Sequence, residues 1–308
     1  MMNPIFASGA RRRMRSMRTV IIVTLYGAIM LFVALLQSFS QLGKASITIG
    51  SMRSGVESYI YLVALQFLLI LLVAPGMTAG SIAGERERQT LDLVLVTNTG
   101  ALRIALGKLM ESFVFLALLI FSSLPMLCVV LLFGGITLLM IGEITAFMII
   151  TAFAALNVGL LASCLFKRTV TATVASYMIV FAIGVGTILP MAVDNEGLMR
   201  YIQNPDLLTV VNSGQLLALI PKLVFINPGV GLLSLMIHQT GLLQRTFGQF
   251  PTGYAYYQVF DRLNFELIAL INMGVMLALS LVITGISAIL IRPRSAPRRE
   301  KVKRGVAA

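Results

Sequence analysis

Few residues in this chain have the types and spacing that do chemistry. The densest group is Glu85, Arg86, Glu87 and Arg88, four charges in a row after the glycines Gly76, Gly80 and Gly84. Charges in that pattern make either a contact surface for a partner or a solvated loop; they do not make a covalent catalyst. Nucleotide binding fails on spacing. A phosphate-binding loop needs a glycine five residues before its Gly-Lys pair and a Ser or Thr after the lysine. Around Gly107 and Lys108 those positions hold Leu102 and Leu109. His238 is the only histidine and stands on an apolar stretch, so neither a metal site nor a histidine-assisted serine nucleophile is expected, and no cofactor is assigned to this chain. The remaining polar candidates are Gln66, Asn157 and Asn272, each inside a long apolar run. They either line a translocation path or hydrogen-bond between helices.

The elements that must position these residues follow from composition. Hydrophobic residues make up 58% of the chain and charged residues 12%, and the mean hydropathy is +0.93. That balance excludes a soluble domain and indicates an all-α polytopic membrane protein. A spanning helix needs about 20 apolar residues. Six runs qualify, near Thr19 to Gln37, Tyr59 to Ile82, Ile104 to Phe133, Gly142 to Phe166, Val170 to Val193 and Leu263 to Ile291. The net charge of +12 would suit nucleic acid, but the basic residues flank the spans. With the amino terminus inside, inner segments hold 18 Lys and Arg and outer segments six. This asymmetry predicts that both termini are cytoplasmic and that nucleic acid is not a partner. Cys128 and Cys164 fall at opposite ends of neighbouring spans, too far apart for a disulfide.

The chain reads as a single membrane domain over 1–308. Residues 1–18 contain Asn3 and Pro4, a helix-start pair, then a cluster of arginines. This segment is either an amphipathic helix lying on the inner leaflet or an irregular basic anchor. The outer insertion, 194–262, contains the apolar stretch Leu216 to Ile237, interrupted by Pro221, Lys222, Asn227 and Pro228. A lysine at mid-membrane costs roughly 2.5–3.5 kcal/mol, and a seventh crossing would place the basic tail, 292–308, outside. Two short helices that dip into or lie on the outer leaflet are therefore expected. The tail itself should lie against anionic headgroups.

The glycines and the charges lie where the second span reaches the inner surface. Gly76, Gly80 and Gly84 form a small-residue face suited to close helix packing, and Pro75 is placed to bend the span. Beyond the charges, Leu91, Val94 and Leu95 recur at helical spacing, which predicts a short cytoplasmic helix within 83–103. Lys108 and Glu111 are one turn apart, a spacing suited to an ion pair.

The stretch SIAGERERQTLDLVLVT followed by LRIALGKL, together with the amino-terminal NP and arginine cluster, resembles the membrane (permease) subunit of type-2 ATP-binding-cassette (ABC) exporters. The resemblance is most specific from Ser81 to Lys108. It implies that Glu85, Arg86, Glu87, Arg88, Leu91 and Asp92 contact a cytoplasmic ABC ATPase through a coupling helix, with Leu95 supporting that helix. It further implies ATP and magnesium on that partner chain, a second permease subunit forming a homodimer or heterodimer, and a place in the plasma (inner) membrane. The outer insertion matches the position of the family's outer gate. A membrane-anchored assembly or sensor protein is the alternative, and no catalytic role is expected of this chain.

Overall fold

The computed structural model describes residues 17–42, 49–90, 100–193, 225–241 and 265–291. Most of the expected interfacial segment, the basic tail, Leu91, Asp92, Leu95 and much of the outer insertion lie outside the described residues. The described elements are α1 (Met17–Leu42), α2 (Ile49–Ala79), α3 (Ala83–Glu87), α4 (Ala101–Val130), a 3₁₀ turn (Leu131–Phe133), α5 (Leu138–Leu165), α6 (Thr169–Val193), α7 (Pro228–Thr240) and α8 (Phe265–Ile291). Among the described residues there is no strand. Six helices, α1, α2, α4, α5, α6 and α8, are long and apolar enough to cross a membrane. The chain is an all-α polytopic membrane protein. A helix meets the demand of the bilayer core, which offers backbone N–H and C=O groups no partner except each other.

α5 is the central helix. In its most apolar window 67% of residues are buried, against 17% for α1 and 11% for α6. It packs on α2, α4, α6 and α8. Phe147, Met148 and Leu156 of α5 meet Leu62 and Ile70 of α2 and Leu116 and Leu119 of α4 in one continuous core. Phe113 and Phe153 add an edge-on aromatic contact at 5.6 Å. The outer faces remain apolar, with Phe32, Phe181 and Leu281 all well exposed. A surface of that kind belongs in lipid, which solvates it.

The second span is longer than its apolar run suggests. α2 begins at Ile49, ten residues before Tyr59, and continues four residues past Pro75. Its tightest contact is with α5. A Cβ added at Gly159 would lie 2.5 Å from the Pro75 carbonyl oxygen and would overlap the Thr78 hydroxyl. Only glycine permits that approach, which also lets Thr78 Oγ1 donate to the Leu156 carbonyl at 2.7 Å. Gly134 and Gly135, at φ 77° and 83°, then supply the left-handed backbone that turns the chain into α5.

α7 sharpens the reading of the outer insertion. At 13 residues it is about 20 Å long, too short to cross. Pro228 does not break it. That residue occupies the first turn, after Asn227, whose side chain caps the helix by accepting from Gly229 N at 2.8 Å. α7 packs mainly on α8. Its start lies beside Asn272 and its end beside Glu266, so it runs antiparallel to α8 with its amino end the deeper one. Gly241 in the left-handed region, at φ 60°, ends it. A single inserted helix therefore occupies the second half of the expected re-entrant stretch; Pro221 and Lys222 lie outside the described residues.

Candidate coupling junction

The charged stretch begins where α2 stops. Gly80, Ser81 and Ile82 form a turn, and Ser81 Oγ donates to the Thr78 carbonyl at 2.7 Å. α3 then starts with two backbone donors that have no partner in their own helix. Both find Ser163 of α5, whose hydroxyl oxygen accepts from Ile82 N and Ala83 N at 2.9 Å each. Ile82, Ala83 and Ser163 are fully buried, so a single serine anchors the start of α3 to the last turn of the central helix.

Three of the next four charges are engaged by the chain itself. Glu85 ion-pairs with Lys108 of α4 at 2.7 Å, a partner not suggested by the one-turn spacing from Lys108 to Glu111. Arg86 Nη1 donates to the carbonyls of Cys164 and Phe166, at 3.1 and 3.4 Å. Those carbonyls form the carboxyl end of α5, where a positive charge is favoured by the helix dipole. Glu87 does the converse at the start of α6. Its Oε2 accepts from Thr169 N at 3.1 Å and from Thr169 Oγ1 at 2.8 Å, placing negative charge where free N–H groups point. The E-R-E triad therefore brackets the α5–α6 turn and ties it to α4.

The other residues named from the sequence sort into distinct environments. Arg88 is exposed and ends α3; Gln89 follows at φ 57°. Gly76 and Gly84 face α6, where added Cβ atoms would lie 2.6 Å from Tyr177 Oη and 3.3 Å from Thr169 Cγ2. Gly80 is looser, at 3.9 Å from the same Thr169 atom. Asn157 and Asn272 are enclosed within the bundle. Asn157 accepts from Thr284 Oγ1 at 2.5 Å and donates to the Phe153 carbonyl at 2.8 Å. Asn272 Nδ2 donates to the carbonyls of Phe225 and Asn227, at 2.6 and 3.0 Å. Gln66 is equally buried, and among the described residues neither its nitrogen nor its oxygen has a hydrogen-bond partner.

No protein-family model matches this chain, and no curated protein matches it.

At the opposite end, α7 is pinned twice. Asn227 Nδ2 donates to the Gly184 carbonyl and to Thr187 Oγ1 of α6, at 2.9 and 2.8 Å. Gln239 accepts from Tyr59 Oη at 2.7 Å and donates to Glu143 Oε2 at 2.8 Å and to the Met140 carbonyl at 3.2 Å. Glu143 of α5 thus helps hold α7 to α5. His238 is exposed and lies 3.9 Å from Glu266. Among the described residues, no group of three or more His, Cys, Asp or Glu side chains is placed to hold a metal ion. Cys128 and Cys164 are both free thiols.

Sequence reasoning missed Ser163, Thr169 and Gln239, and took Asn227 for an interruption where it caps a helix. Ser163 is one hydroxyl in an apolar run, and nothing local distinguishes a side chain that bonds to a distant helix start from one that bonds within its own helix. Thr169 had a faint signal, since a threonine beside Lys167 and Arg168 at the start of a span suits a helix end.

Proposed function

We propose that this chain is the membrane-spanning subunit of an ATP-driven exporter of the type-2 ABC class, working with a separate cytoplasmic ATPase and a second membrane subunit. The observation that carries the reading is the junction at Ile82 to Glu87. One short segment is bonded to α4, α5 and α6 through Lys108, Ser163 and Thr169. A force applied to it reaches three membrane helices at once, which is what a coupling element requires. A loop that only stops transfer has no need of such ties. The distribution of Lys and Arg supports a cytoplasmic place for the basic end of the bundle, and the resemblance to exporter subunits supports the plasma (inner) membrane.

In this reading the ATPase docks beyond Arg88, on the exposed side of α3 and the chain that follows. Closure of the ATPase pair around ATP and magnesium moves α3, and the bracketed α5–α6 turn moves with it. At the far end α7, pinned between α5, α6 and α8, closes the outer side of the path until those helices shift. The test is purification of the full-length tagged chain from its own membranes in mild detergent. Co-purification of an ATP-hydrolysing subunit in stoichiometric amount is the expected result. A chain that purifies with no ATPase refutes the reading and favours an anchor or sensor.

A further inference from the structure

The charge left over at the junction points to a site of its own. Arg86 is engaged by helix-end carbonyls, Glu85 and Lys108 neutralise each other, and Glu87 Oε2 already accepts two hydrogen bonds from Thr169. Those same bonds bring two separate pieces of chain together. The Glu87 contact with Thr169 brings Arg168 and Arg88 to act on the same carboxylate, and Lys167 precedes Arg168 in the chain. Arg88, Lys167 and Arg168 are all exposed, and the carboxylate among them is Glu87. Arg88 and Arg168 thus share one anion, and Lys167 adds a third cation next in the chain.

The surroundings decide what would cover them. Lys167 and Arg168 stand between large exposed apolar residues, with Leu165 at 54% exposure on one side and Val170 at 72% on the other. Side chains of that kind belong in the hydrocarbon, so the two cations sit at the boundary where lipid phosphates lie. A water-soluble acidic protein would have to reach past that apolar rim, whereas a headgroup is already there.

We infer that Arg88, Lys167 and Arg168 form a binding site for the headgroup phosphate of an anionic phospholipid. The bound lipid bridges the end of α3 and the α5–α6 turn, reinforcing from the bilayer side the bracket that Glu87 makes from within. This site does not depend on the chain being a transporter.

The test uses the full-length chain in mild detergent with equimolar phosphatidylglycerol and phosphatidylcholine, and native mass spectrometry to count retained lipids. The wild type should retain phosphatidylglycerol preferentially. Each basic residue near an anionic surface is worth about fivefold in binding, so K167Q/R168Q should lower the selectivity on the order of twentyfold, and R88Q about fivefold. The charge-conserving K167R/R168K variant should keep it, which separates loss of charge from loss of fold. If K167Q/R168Q retains the wild-type lipid ratio, the lipid site is overturned and the cations are left to a water-soluble acidic partner.

Discussion

Replacing Ser163 by alanine removes one oxygen atom and leaves two buried N–H groups, those of Ile82 and Ala83, without an acceptor. Neither donor can turn to water, since all three residues are fully buried. An unsatisfied buried group costs about 1–3 kcal/mol, so the substitution should destabilise the bundle by about 2–5 kcal/mol, relaxation of α3 lowering the upper figure. Ser280→Ala is the matched control. That hydroxyl is equally buried but only donates to the Met276 carbonyl one turn back, at 2.7 Å. The carbonyl keeps its helical donor when the hydroxyl is lost, and the change should cost less than about 1 kcal/mol. Reversible unfolding in mixed micelles, followed by helix content, measures both. A Ser163→Ala loss no larger than that of Ser280→Ala would show that Ser163 does not hold the junction.

Three further outcomes follow from the packing. Gly159→Ala should destabilise by about 1–3 kcal/mol through overpacking against Pro75 and Thr78, whereas Gly186→Ala, which meets nothing within 4 Å, should be neutral or stabilising by up to about 1 kcal/mol in the same unfolding assay. Asn227→Ala removes a helix cap and two hydrogen bonds to α6; together these are worth about 2–4 kcal/mol, read as faster hydrogen exchange across 228–240 with α5 unchanged. Gln239→Ala should loosen the other end of α7, with exchange rising at 236–241 rather than near Asn227.

How much of this was legible in the sequence depends on the range of the interaction. The six crossings were, because hydropathy is summed over about 20 neighbouring residues and needs no knowledge of partners. The extra turns of α2 before Tyr59 were not, since a polar stretch such as Ser51 to Ser58 carries no apolar signal even when it continues a helix. Pro228 suggested an interruption, and its position after Asn227 makes it a helix start instead. Gly76, Gly80 and Gly84 stood out by their regular spacing, yet the tightest glycine contact on α2 comes from Gly159, which has no such spacing to announce it. From sequence the E-R-E triad reads as either a partner surface or a solvated loop. In the folded chain Glu85, Arg86 and Glu87 meet Lys108, the end of α5 and the start of α6, pairings about 20 to 80 residues away in sequence that no local pattern encodes. Those bonds leave Arg88 as the charge of that run facing outward.

The central claim is that the α3 junction transmits motion between an ATPase and the membrane helices. Glu87→Ala tests it most directly, because Glu87 is exposed and its loss should spare the fold while freeing the start of α6 from α3. The quantity to measure is ATP hydrolysis by the intact purified complex in lipid nanodiscs, with the native-membrane lipid extract as the source of transported molecules and empty nanodiscs as the baseline. The account predicts that the ATPase stays bound to the Glu87→Ala chain, that basal hydrolysis persists and that stimulation by the extract falls at least severalfold. Stimulation equal to that of the wild type, with the complex intact, would contradict it.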